Sequence, residues 1–89
     1  MNFAARWQIV VDRDVQKALL RIPSHDSERI QAAIAEFELN PYSGDVVKMH
    51  GQRDAWRRRI GSYRLFYEVV QESRMVHVYS LQRRTSTTY

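Results

Sequence analysis

The sequence predicts an α+β domain in the order β-α-α-β-β-β, with two N-terminal helices packed on one face of an antiparallel sheet. Three observations lead there. Apolar residues recur at helical spacing only between residues 15 and 37. A short run of β-branched and aromatic residues precedes them, and three more such runs follow in the second half. Those last three runs are separated by only two and four residues, connections that suit antiparallel hairpins. Repeats, low-complexity tracts and linkers are absent, so residues 1–89 are taken as a single domain.

Each element has its own signal. Trp7–Val11 reads as the first strand, ending at Asp12. Val15, Ala18, Leu19 and Ile22 form the apolar stripe of a short helix that Pro23 closes. Ser24 or Asp26 can accept the free N–H groups at the start of a second helix, whose stripe is Ile30, Ala33, Ile34 and Phe37. Asn40-Pro41 should end it, because a residue before proline is pushed out of the helical region. Residues 41–52 show no sustained period and hold two glycines, and read mostly as loop. The final strands are Ala55–Ile60, Tyr63–Val70 and Met75–Leu81.

Composition narrows the function classes. With 44% hydrophobic and 27% charged residues, the chain can build a core and is not disordered along its length. The absence of cysteine excludes a thiol nucleophile, a cysteine-ligated zinc site and an iron–sulfur cluster, and it fits a reducing cytoplasm. No apolar run approaches the ~20 residues that span a bilayer, so no membrane association is expected. A phosphate-binding glycine loop, a histidine pair at metal-ligand spacing and a Ser–His–Asp arrangement are also missing.

Charge is unevenly divided. Residues 1–45 hold five bases against seven acids, whereas residues 46–89 hold nine bases against three, so the net +4 resides wholly in the second half. That asymmetry points to a polyanion-binding face. Only Lys17 and Lys48 among the 14 bases are lysine, and the arginine fork suits bidentate phosphate contact and base stacking better than an ammonium. Arg53, Arg57, Arg58, Arg59 and Arg64 lie within twelve residues. Strand alternation puts Arg57 and Arg59 on one face, with Trp56, Arg58 and Ile60 on the other. Tyr63, Tyr67, Tyr79 and Tyr89 offer rings for stacking, while Trp56, Leu65, Phe66, Val76 and Val78 are assigned to the core.

The stretch Ala55–Val69, with Gly61-Ser62-Tyr63-Arg64 at its turn, resembles the central hairpin of the RelE/ParE superfamily of bacterial toxins. The likeness extends over nearly the whole chain. It takes in the first strand, the helix pair ending in Asn40-Pro41, the loop with Lys48 and Gly51, and Val76–Arg84 leading to Tyr89. In its RelE branch, which the residues favour, the resemblance implies a toxin that cleaves messenger RNA in the ribosomal A site without metal or cofactor. Position by position it implies catalytic roles for Arg57, Arg59, Arg64, Arg84 and Tyr89, with Lys48, Arg53 and Arg83 contacting RNA. The best-known members carry lysines where this chain has Arg57 and Arg59. Arginine does not readily release a proton, so these two clamp phosphate and a different group takes the proton: Tyr89, His77, His50, Glu68 or a ribosomal group. The implied partners are a cognate antitoxin, in a hetero-oligomer, together with the ribosome and mRNA. A ParE-like inhibitor of DNA gyrase that acts by binding, and a non-catalytic RNA-binding module, are the alternatives on the same fold.

Overall fold

The computed structural model describes residues 6–51 and 54–83. Strand β1 (Gln8–Val11) leads into α1 (Arg13–Arg21) and α2 (Ser24–Glu36), followed by β2 (Val46–Lys48), β3 (Ala55–Ile60), β4 (Tyr63–Val70) and β5 (Met75–Arg83). The α+β class and the order of the elements are as expected, with two differences. The sheet has five strands in the order β1-β5-β4-β3-β2, and it is mixed because β1 lies parallel to β5. The helix pair carries the chain from β1 to the opposite edge of the sheet. Three antiparallel steps then bring it back, and β5 arrives beside β1 running in the same direction. The second difference is β2, which lies within the stretch read mostly as loop. Val46 and Val47 supply a three-residue edge strand too short to show a period.

Helix α1 ends where Pro23 requires. Its first turn holds Asp14 and its last turn Arg21, each suited to the helix dipole. The expected side-chain cap on α2 is not formed. Pro23 occupies the capping position, its carbonyl accepting the Ser27 N–H at 2.9 Å, and the Asp26 carboxylate instead accepts the Tyr63 hydroxyl at 3.1 Å. Helix α2 stops before Asn40, whose side-chain oxygen accepts the Tyr42 N–H at 3.0 Å in a local turn.

The helices cover one face of the sheet. Val15, Ile30, Ala33 and Phe37 from the helix side meet Ile60, Tyr63, Leu65, Tyr67, Val69, Val76 and Val78 from the strands. Tyr67 sits at the centre, fully buried, with its ring 4.4 Å from that of Phe37 and its hydroxyl donating to the Pro41 carbonyl at 2.7 Å. Burial drives its pKa well above the ordinary tyrosine value, so it remains a neutral donor. Tyr63 and Tyr67 are therefore core residues and not stacking platforms. Phe66 corrects the other way: although assigned to the core, it alternates with Leu65 and Tyr67 and stands half-buried on the open face.

Candidate functional site

The register of β3 and β4 builds the site. Arg57 lies opposite Phe66, and Arg59 lies opposite Arg64, all on the face turned away from the helices. Two guanidinium-bearing residues directly opposed across an antiparallel pair repel each other, an arrangement that costs stability unless an anion lies between them. Arg57 stands one pleat from Arg59, roughly 6.5–7 Å along the strand. Strand β2 adds Val47 opposite Arg57, and the preceding Asp45 accepts an ion pair from Arg59 at 3.2 Å. Asp45, Val47, Arg57 and Arg59 line a cleft of about 200 Å³. Among the described residues no carboxylate pairs with Arg57 or Arg64. A larger cleft, about 350 Å³, lies on the helix side between Val11, Leu19 and Ile34, away from these arginines.

Toward β5 the open face becomes aromatic and then acidic. A register shift at Phe66/Tyr67 lets Ser80 pair with Phe66 and Val78 with Tyr67, leaving Tyr79 as the extra residue of a bulge. The Tyr79 ring centroid lies 6.4 Å from that of Phe66, and its hydroxyl approaches the Met49 sulfur at 3.9 Å. Beyond them His77 is held between two carboxylates, with Nε2 2.7 Å from Asp12 and Nδ1 3.2 Å from Glu68. The hydrogen bond to Asp12, reinforced by Glu68 and opposed by partial burial, raises the His77 pKa above its ordinary 6.5. The two carboxylates thus favour the imidazolium form and occupy both ring nitrogens of His77.

A sequence model described as the ParE toxin of type II toxin–antitoxin systems, parDE, matches residues 9–86. The chain belongs to this toxin family. Its fold is shared by the toxin in the archaeal RelE–RelB complex of Pyrococcus horikoshii OT3, at 25% identity and a TM-score of 0.81 over 92% of this chain and 99% of that one. The isolated E. coli RelE toxin is similar at 22% identity and a TM-score of 0.78, over 91% and 87% of the two chains. A YoeB/ParE toxin from Agrobacterium tumefaciens gives 19% and 0.72 over 88% and 99%. Among curated proteins none matches the sequence.

In this type II toxin, the residues singled out from sequence divide by face. Arg57, Arg59 and Arg64 come together on the open side. Lys48 lies opposite Trp56, and Arg83 lies opposite Tyr63 with its guanidinium 5.9 Å from that ring, so both belong to the pleat positions that face the helices. Arg53, Arg84 and Tyr89 lie outside the described residues. Arg58, set apart from the phosphate-facing group by its parity, is on the helix side as expected, 3.0 Å from Glu36 and over the Phe37 ring. His50 is exposed in the turn after β2. Glu68, named among the groups that could take the proton, bonds His77. Two contributors escaped sequence reasoning. Phe66 shares the parity of Arg64 and could have been found from that alone, whereas Asp45 becomes visible only once β2 is known to pair with β3.

Proposed function

We propose that this toxin is a ribosome-dependent mRNA endoribonuclease. The observation that carries the reading is the convergence of Arg57, Arg59 and Arg64 on one face, with Arg59 and Arg64 directly opposed. In the reaction a 2′-hydroxyl attacks the adjacent phosphorus. The new P–O2′ bond replaces the P–O5′ bond, leaving a cyclic phosphate and a 5′-hydroxyl. The phosphorane between them carries more negative charge than the ground state, and guanidiniums fixed beside it stabilise it preferentially. The ribosome supplies the alignment of nucleophile and phosphate. Arg84 and Tyr89 complete the set in this reading, Tyr89 or a ribosomal group taking the proton that arginines do not. Lys48, Arg53 and Arg83 serve as peripheral RNA contacts in this reading.

The expected partner is a cognate antitoxin, a reading that the RelE–RelB complexes among the solved relatives support, and an acidic segment of it would complement the basic face. The ParE description of the matching family favours a second reading, inhibition of DNA gyrase by binding alone. One experiment separates them. Purified toxin is incubated with programmed ribosomes in the presence of chelator, and in parallel with gyrase and relaxed plasmid. A-site cleavage that Arg64→Ala abolishes is the expected result. Blocked supercoiling with translation untouched would sink the nuclease reading.

A further inference from the structure

The open face carries two half-buried rings that the phosphate chemistry does not use. Phe66 is placed there by strand alternation and Tyr79 by the alternation of β5 up to its bulge, with their centroids 6.4 Å apart. Cross-strand packing explains why the rings touch each other, but not why their outer surfaces stay open beside three arginines. Phe66 is directly opposite Arg57, so their Cβ atoms are about 5 Å apart. A phosphate held at Arg57 would therefore set its own nucleoside over the Phe66 ring. The contact of the Tyr79 hydroxyl with Met49, which follows β2, extends the aromatic surface across the sheet toward the arginine-lined edge. Burial, with the charge of Glu68 second, raises the Tyr79 pKa and keeps this ring neutral.

We propose that Phe66 and Tyr79 form a nucleobase-stacking subsite for single-stranded RNA, read together with the phosphate bound at Arg57. This inference rests on the RNA-directed reading above and names which part of the substrate meets which part of the face. Aromatic rings stack on any base, so the subsite contributes affinity and positioning with little sequence preference. The positive charge of the adjoining arginines makes RNA, and not an apolar peptide, the occupant.

The test uses the full chain freed of antitoxin and a fluorescently labelled eight-nucleotide RNA, with binding followed by anisotropy and folding checked by thermal melting. Phe66→Leu and Tyr79→Leu keep apolar volume but remove the ring, and each is expected to weaken binding about tenfold. Tyr79→Phe, which keeps the ring, should restore affinity to within about twofold of the parent. On an oligonucleotide of equal phosphate count with abasic positions, the leucine variants and the parent should bind alike. Failure of the parent to bind the RNA, equal binding by the leucine variants, or a loss that persists on the abasic oligonucleotide would each overturn the subsite. So would leucine variants that lose an acidic antitoxin peptide while keeping RNA, which would make the rings a protein-docking surface. Ring-dependent RNA binding without A-site cleavage would uphold the subsite and remove the nuclease reading. Cleavage without ring-dependent binding would do the reverse.

Discussion

Arg58 and Arg59 are neighbours in β3, each paired with a carboxylate, yet they belong to different sides of the molecule. The Arg58 side chain is 13% exposed, held to Glu36 of α2 and laid over Phe37, while the Arg59 side chain is 56% exposed and meets Asp45 in water. The pleat alone separates them. On the helix side charge is a packing element: Arg58 brings its aliphatic stem to the core, and its buried Nε has no hydrogen-bond partner among the described residues. Gly44 approaches this guanidinium so closely, at a φ of +84°, that a Cβ there would lie 2.6 Å from Arg58 Cζ. On the open side charge remains available to a ligand. Residue type therefore says little about role in this sheet, and parity says most.

The phenylalanines should show the largest contrast. Phe37 is fully buried against Tyr67, and Phe37→Ala is expected to cost about 3–5 kcal/mol, enough to unfold much of a domain this small. Phe66→Ala, on the open face, should cost under about 1.5 kcal/mol, because only part of its ring is withdrawn from water. Urea titrations followed by circular dichroism measure both. Equal losses would mean that the open face is a second core surface, and the two-sided picture would fail.

The arginine pair sharpens the same contrast by crossing two readouts. Arg58→Ala removes the contacts with Phe37 and Glu36 and is expected to lower stability by about 1–2 kcal/mol, or roughly 5–15 °C in melting temperature. Arg58→Met keeps the stem without the charge and should recover most of that loss. Arg59→Ala should leave stability within about 0.5 kcal/mol, as befits an exposed pair. Inhibition of translation should respond in the opposite order, with at least about a tenfold loss for Arg59→Ala. An Arg59 variant as toxic as the parent would move the working site elsewhere.

How much of this was legible beforehand follows from the same geometry. The boundaries of β3 and β4 and the separation of Arg57 and Arg59 from Arg58 were readable, because alternation is strict wherever one face is buried. The parallel placement of β1 was not, since a strand's partner depends on where a two-helix connection sends the chain. Strand β2 was missed because three residues cannot establish a period, and with it went Asp45, which reaches Arg59 only through that pairing. Phe66 was misassigned because its hydrophobicity outweighed its parity. The bulge after Val78, which returns Leu81 to the core while Tyr79 stays outside, leaves no mark in composition at all.

Asp45 offers a smaller test of the open side. Its carboxylate occupies Arg59 and lines the same cleft as Arg57, so an incoming phosphate must share or displace it. Asp45→Asn removes that competition and is expected to tighten binding of a single-stranded RNA about threefold, with melting temperature nearly unchanged. Weaker binding would show instead that Asp45 positions Arg59 productively.

The smallest expected effect lies at the other end of the open face, where His77 links β5 to Asp12 at the start of α1 and to Glu68 of β4. In the unfolded chain its pKa is about 6.5, and in the fold the two carboxylates raise it. A group whose pKa rises on folding contributes its stabilisation fully below the unfolded value and loses it as pH climbs through the folded one. Stability should therefore decline as pH climbs from about 6.5 through the raised folded value, and only slightly, because all three side chains are partly in water. His77→Gln should flatten that slope while leaving RNA binding within about twofold, since the cluster lies beyond the rings and not among the arginines. A melting curve in which the His77→Gln protein keeps the parent's slope would place the titration elsewhere. A large loss of RNA binding in the same variant would extend the working surface across all of the open face, past the aromatic boundary that now divides it.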